Sequence, residues 1–214
     1  MNENEFKLQV HNLAAKIKHH LILGRGRLIQ DASDDEIYDA LSFCLREEVM
    51  IHWSAALNTY QSHNHRIVYY LSMEYLPGKI LGNTMANMGW TDLVVGVMKE
   101  IGRDLNKILH CEREPGLGNG GLGRLASCFL DSLATMKIPA FGYGLRYQYG
   151  TFEQAISMGS QIERPDRWLL RPYPWELRRD FRTHKIKYGG HLVEFKNQQN
   201  ETCHHLDQFE EVRA

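Results

Sequence analysis

The stretch Gly116-Leu117-Gly118-Asn119-Gly120-Gly121-Leu122-Gly123-Arg124 decides how this chain is read. Five glycines fall within eight positions, and an apolar periodicity follows at once through Leu122, Leu125, Ala126, Phe129, Leu130, Leu133 and Met136. Steps of three and four residues place these side chains on one face of a helix. A glycine-rich turn that opens a helix bares backbone N–H groups at the positive end of the helix dipole, a setting suited to a phosphate or a sugar hydroxyl. Glycine also lacks the Cβ that would hold a ligand away from the main chain.

Three readings of this loop compete. Gly116, Gly118 and Gly121 satisfy G-x-G-x-x-G, as do Gly118, Gly120 and Gly123. A dinucleotide-binding fingerprint also needs a strand directly before it and an acidic residue about 20 positions beyond. The preceding residues, His110 to Pro115, are charged rather than strand-like, and Phe141–Gln148 holds no carboxylate. A P-loop is excluded because no glycine here is followed by Lys-Ser or Lys-Thr. The remaining alternatives are a loop built for ligand approach and one built only for close packing of a turn on a helix.

Composition narrows the class. The chain has 214 residues, 43% hydrophobic and 24% charged, with a net charge of −1; this is ordinary globular composition. No concentrated basic surface suggests nucleic acid. Glu163–Lys187 is rich in Arg and Lys, but acidic residues are interleaved. The acidic start, Met1 to Glu5, is followed by no apolar signal core, and no run reaches the ~18–20 apolar residues of a membrane span. A cytoplasmic, membrane-free protein is expected. Cys44, Cys111, Cys128 and Cys203 are far apart, with no C-x-x-C pair. Cys44 and Cys128 stand beside apolar helix faces and are expected to be buried thiols. The adjacent pairs His19-His20 and His204-His205 diverge on a helix or strand, so no metal site is expected.

Along the chain, Phe6–Leu23 reads as a helix with a stripe of Phe6, Val10, Leu13, Ile17 and Leu21, ended by Gly24-Arg25-Gly26. Ser33 and Glu36 have the spacing of a capping box. The helix it opens should run to about Tyr60 on Ile37, Leu41, Leu45, Val49, Trp53 and Leu57, with a polar loop over Gln61–Arg66. Ile67–Leu71 is wholly apolar and fits a buried parallel strand. A helical region follows to about His110. Beyond the glycine-loop helix, Ile138–Tyr149 has strand character, Gly159–Asp180 reads as an irregular loop, and Lys185–Lys196 alternates before a turn at Asn197–Glu201. The pattern is α/β, and there is no internal repeat.

Four blocks together resemble the α-glucan phosphorylases, the glycogen, starch and maltodextrin enzymes. They are Tyr69–Asn83 (YYLSMEYLPGKILGN), Gly116–Lys137 (GLGNGGLGRLASCFLDSLATMK), Phe141–Gln154 (FGYGLRYQYGTFEQ), and Asp166–Glu176 with Trp168 and Pro174-Trp175-Glu176. The resemblance runs from about Asp34 onward, and the first 30 residues match only loosely. It implies a GT-B-type glycosyltransferase fold of two Rossmann-like halves. Residues 1–30 would be an amino-terminal helical extension, and residues 31–214 an incomplete, partial amino-terminal half.

The resemblance also implies phosphorolysis. Such enzymes cleave the terminal α-1,4 bond of a glucan with inorganic phosphate, yielding glucose 1-phosphate, and use pyridoxal 5'-phosphate bound to a lysine. No segment here matches that lysine motif, so the chain reads as a fragment whose carboxyl-terminal half is missing. By the resemblance, Glu74 and Leu122 belong to the catalytic set. Asn119, Gly120, Gly121, Leu76 and Arg124 belong to phosphate and cofactor binding. Leu76 stands where many members carry a tyrosine, and for Arg124 a structural salt bridge is the competing reading. The full-length form is expected to be a homodimer. The first serine is Ser33, and Leu57–Gln61 occupies the place of the animal enzymes' nucleotide site without its glutamine pair, so neither a serine switch nor AMP activation is expected. A glucan- or partner-binding remnant without turnover is the alternative.

Overall fold

A computed structural model describes residues 2–63 and 65–213. Met1, Asn64 of the expected 61–66 loop, and Ala214 lie outside the described residues. The chain divides into two compact units, Met1–Trp175 and Glu176–Ala214.

The first unit opens with helix α1 (Glu3–Arg25), whose N-cap Asn2 forms a capping box with Glu5, and which stops at Gly26 in the left-handed region at φ 62°. Glycine tolerates that conformation without the Cβ penalty, which is why the helix ends there. Helix α2 (Asp34–Ser62) starts at the expected box: Glu36 N–H donates to Ser33 Oγ at 3.3 Å, and Ser33 N–H to Glu36 Oε2 at 2.9 Å. The Arg103 guanidinium pins the intervening turn, donating to the carbonyls of Ile29 at 3.0 Å and Ala32 at 2.8 Å. Val10, Leu13, Ala14, Ile17 and Leu21 of α1 and Ile37, Leu41 and Leu45 of α2 are buried together. The expected α2 stripe does not continue. Val49 is exposed and Trp53 and Leu57 are half-buried. Ion pairs from Lys16 tie the helices as far as Glu47 and Glu48, whereas the first turns of α1 pack on another helix, with Val10 and Phe6 against Gly96.

After strand β1 (Val68–Leu71) come α3 (Leu81–Asn87), α4 (Thr91–Glu100) and α5 (Leu105–His110), which close the core through Leu81, Met85, Val94, Val97, Met98 and Ile108. Helix α6 (Gly121–Thr135) then leads to β2 (Ala140–Tyr143), which pairs parallel with β1, Val68 opposite Ala140. The parallel pairing is as expected, but the burial is not: Tyr69 is 56% and Leu71 77% exposed. The same correction applies to α6. Only Gly123 and Ala126 of it are buried, while Leu122, Leu125, Phe129 and Met136 are exposed. Two strands make a ribbon roughly 10 Å wide, too narrow to cover a long helix face. Phe129 meets Tyr70 edge-on at 5.8 Å, and that contact marks where α6 rests on the ribbon. Cys128, on the same helix, is exposed rather than buried; Cys44 is buried as expected.

Two further strand expectations are corrected. The segment Ile138–Tyr149 is a strand only over β2. Inside the expected irregular loop, β4 (Ser160–Arg164) pairs antiparallel with β3 (Glu153–Ser157). Met158 at φ 50° and Gly159 at φ 78° form the turn, the mirror-image geometry that suits a tight hairpin. In the second unit, β5 (Lys185–Tyr188) pairs with β8 (Glu210–Arg213), and β6 (His191–Lys196) with β7 (Thr202–Asp207), all antiparallel. Gly189 and Gly190, both at positive φ, split the expected 185–196 run into β5 and β6. Asn197 Oδ1 accepts from Gln199 N–H and Glu201 N–H, each at 2.9 Å, and so forms the expected turn.

Candidate functional site

The carboxyl end of β1 runs into a loop that lies along the glycine-rich segment. Ser72 Oγ donates to Glu74 O at 2.8 Å and accepts from Glu74 N–H at 3.3 Å, a local turn that turns the chain out of the strand. Two backbone bonds then join the segments: Tyr75 N–H to Leu117 O and Leu76 N–H to Gly123 O, both 2.9 Å. The Tyr75 hydroxyl donates toward Tyr70 O at 2.8 Å and Tyr143 O at 3.1 Å, fastening the loop across both strands. Arg124 Nη1 donates to Leu76 O at 3.3 Å and Pro77 O at 3.4 Å. Arg124 therefore holds backbone carbonyls of the loop rather than entering a carboxylate salt bridge.

The five glycines do different work. A Cβ on Gly118 would stand 2.9–3.0 Å from the Tyr75 backbone, one on Gly116 would meet the Trp168 ring at 2.5 Å, and one on Gly123 would lie 3.2 Å from Glu74 Cβ. These three permit close packing. Gly120 and Gly121 have no atom within 4 Å of that position. No side-chain cap bond is made at the α6 N-cap Gly120, which leaves first-turn N–H groups of the kind that can bind a ligand. No strand precedes the loop, because α5 ends at His110 and residues 111–119 are irregular. The dinucleotide fingerprint fails on that ground.

Glu74 and Asn119 meet here. Asn119 N–H donates to Glu74 Oε2 at 3.4 Å. Both line a cleft of about 280 Å³ together with Gly116, Gly118, Tyr147, Tyr149, Gly150 and Thr151. Leu122 is on the exposed side of α6 and does not line that cleft; Leu76, Gly120, Gly121 and Arg124 also lie outside its lining. Sequence reasoning missed Tyr147, Tyr149, Gly150 and Thr151 as site residues, although all four stand in the Phe141–Gln154 block. The cleft combines a carboxylate acceptor, backbone donors, tyrosine rings and a threonine hydroxyl. None of its lining side chains is cationic. That chemistry suits a polyhydroxyl ligand, whose hydroxyls both donate and accept.

Glu112 supports the site from behind. Its carboxylate accepts from Ile80 N–H at 2.7 Å and from Leu81 N–H at 3.1 Å, anchoring the start of α3 and the exit of the Glu74 loop. Burial pushes the carboxyl up from its usual 4.5, and the Ile80 and Leu81 N–H groups pull part of the way back. The folded state thus holds this proton more tightly than the unfolded chain. The stability contributed is fully present below pH 4.5 and is lost as pH rises through the folded-state value. Glu112→Gln removes the titration. In urea denaturation the wild type should lose stability relative to the variant as pH rises above 4.5, and parallel pH profiles would contradict this assignment.

Among the described residues no group of three or more His, Cys, Asp or Glu side chains is arranged to hold a metal ion, and no helix is long and apolar enough to cross a membrane.

Comparison with known proteins agrees with the four blocks. Residues 98–214 match the family described as carbohydrate phosphorylase. The chain is 41% identical to a glycogen phosphorylase of Synechocystis sp. over 192 residues, 90% of this chain and 23% of that protein. It is 38% identical to alpha-glucan phosphorylase 1 of Arabidopsis thaliana over 190 residues, 89% of this chain and 20% of that protein. It is 40% identical to a glycogen phosphorylase of Saccharomyces cerevisiae over 186 residues, 81% of this chain and 21% of that protein. The chain spans about a quarter or less of the length of these curated relatives. The family match and the four blocks in their order lead to one conclusion: this chain belongs to the carbohydrate phosphorylase family.

Proposed function

We propose that the chain is the amino-terminal part of an α-glucan phosphorylase of GT-B fold, with residues 1–30 as a helical extension and residues 31–214 as part of the first Rossmann-like half. In complete form it transfers the terminal glucosyl group of an α-1,4-glucan to inorganic phosphate, in the cytoplasm and as a homodimer. The observation that carries this reading is the Glu74 carboxylate at the Asn119 N–H, beside the uncapped start of α6. A glucosyl hydroxyl placed there can donate to Glu74 and accept from the main chain.

The roles follow from chemistry. Glu74 binds the sugar, and its negative charge lies near where positive charge develops on the anomeric carbon as the glycosidic bond breaks. Asn119, Gly120, Gly121 and Leu122 offer N–H groups to the sugar and to phosphate. Arg124 and Leu76 hold the loop that carries Glu74. The open space at Gly120 and Gly121 fits the approach of a phosphate group such as that of pyridoxal 5'-phosphate, whose lysine is not among these residues. That cofactor, when bound, supplies a phosphate able to exchange a proton with the substrate phosphate. Nothing at Leu57–Gln61 suggests a nucleotide switch, and the complete enzyme is expected to be active without AMP.

An NMR titration of the chain with a maltooligosaccharide tests this reading. The amides of Asn119, Gly120 and residues 147–151 should shift. Glu74→Gln should weaken binding roughly 10- to 100-fold, the loss expected for a hydrogen bond to a charged group. Shifts elsewhere only, or equal binding by the variant, would defeat the proposal.

A further inference from the structure

The two walls of the Glu74 cleft come from distant segments, residues 116–119 and 147–151. One short strap, Asp166-Arg167-Trp168, touches both. Gly150 N–H donates to Asp166 O at 2.9 Å. Arg113 Nη1, just ahead of the glycine loop, donates to Arg167 O at 3.0 Å. Trp168 Nε1–H donates to Tyr147 O at 3.1 Å. The Trp168 ring fills the space where Gly116 would carry a Cβ, and Gly150 Cα lies 2.7 Å from that same point. The paired glycines let ring and walls close on one another.

Trp168 is 4% exposed and does not line the cleft, so it does not touch a ligand there. Tyr147 is held at both ends: its carbonyl takes the Trp168 indole, and its hydroxyl donates to Met73 O at 3.0 Å, next to Glu74. We infer that Trp168 is a positioning residue that sets the separation of the two cleft walls, and so the fit of the saccharide opposite Glu74. This rests on the sugar-binding reading of the cleft. The indole N–H fixes the 147–151 wall by direction, and the ring fixes the glycine wall by contact. A bulky apolar residue alone supplies only the second of these.

Trp168→Phe keeps an aromatic ring and removes the N–H donor. Hydrogen exchange followed by mass spectrometry should speed up in peptides covering residues 115–121 and 147–151, with the α1 and α2 peptides unchanged. Maltooligosaccharide affinity should fall roughly two- to tenfold, the change that loss of one neutral hydrogen bond brings. Faster exchange throughout Met1–Trp175 would make Trp168 a plain core residue and overturn the inference, as would no change at the walls. Faster exchange at the walls with unaltered affinity, in a chain whose binding is weakened by Glu74→Gln, would overturn it as well. If the wild-type chain binds no saccharide, the functional reading fails by itself, and the exchange pattern still decides whether Trp168 couples the walls. Should the variant not fold, the wild-type indole N–H serves: it should resist solvent exchange and shift on saccharide addition, and rapid exchange would refute the coupling.

Discussion

Gly118→Ala is expected to destabilise the Met1–Trp175 unit by about 3 kcal/mol, the upper end of what overpacking brings. The added methyl would face the N, C and O atoms of Tyr75 at 2.9–3.0 Å. Those are backbone atoms, held in place by the Tyr75 N–H bond to Leu117 O and by the tyrosine hydroxyl on Tyr70 O and Tyr143 O. They cannot swing aside as a side-chain tip would, so the strain spreads into the glycine loop and the Glu74 turn together. Gly120→Ala, two residues on, is expected to change stability by less than about 1 kcal/mol. Its backbone is extended at φ −149° and ψ −158°, and nothing stands within 4 Å of the new methyl. Urea denaturation of both variants makes the comparison. Equal midpoints would show that the loop has no inside and outside of this kind.

Leu41→Ala is expected to cost about 2–5 kcal/mol, because it deletes most of a fully buried side chain and leaves a cavity that its neighbours fill only in part. Leu41 is 0% exposed at the heart of the α1–α2 packing. Leu122→Ala gives the contrast. Leu122 belongs to an equally regular apolar stripe, yet it is 61% exposed, and its truncation should fall within about 0.5 kcal/mol of the parent. Similar losses for both leucines in thermal or urea denaturation would mean that the stripe of α6 is packed after all. The pair also separates stability from function. Leu122 contributes its backbone N–H to the proposed sugar and phosphate site, and alanine retains that group.

The site was partly legible. Glu74 and Asn119 were marked by the block resemblance, and their meeting in one cleft follows from β1 placing the Glu74 turn beside the glycine loop. For Arg124 the sequence leaves phosphate binding and a structural salt bridge open; in the fold its guanidinium donates to the carbonyls of Leu76 and Pro77. The type and spacing of an arginine do not say which acceptor its guanidinium reaches. Tyr147, Tyr149 and Thr151 carried no signal of their own, since a tyrosine in a strand-like run reads as core or sheet surface. Trp168 stands in the fourth resembling block, but nothing in the sequence around it says which segments its ring and N–H reach.

By itself the sequence determined the features governed by neighbours along the chain. The box at Ser33–Glu36, the stop at Gly26, the span of α6 and the Asn197 turn rest on bonds a few residues long, and family membership rests on the order of residue types. The tertiary structure alone decided what faces what. It separated packed Gly116, Gly118 and Gly123 from open Gly120 and Gly121, buried the first half of the α2 stripe and left Leu122, Leu125 and Phe129 of the α6 stripe exposed, and brought residues 147–151 to Glu74. Periodicity says that a face is apolar, but burial depends on what lies opposite, and that partner is set by contacts dozens of residues away.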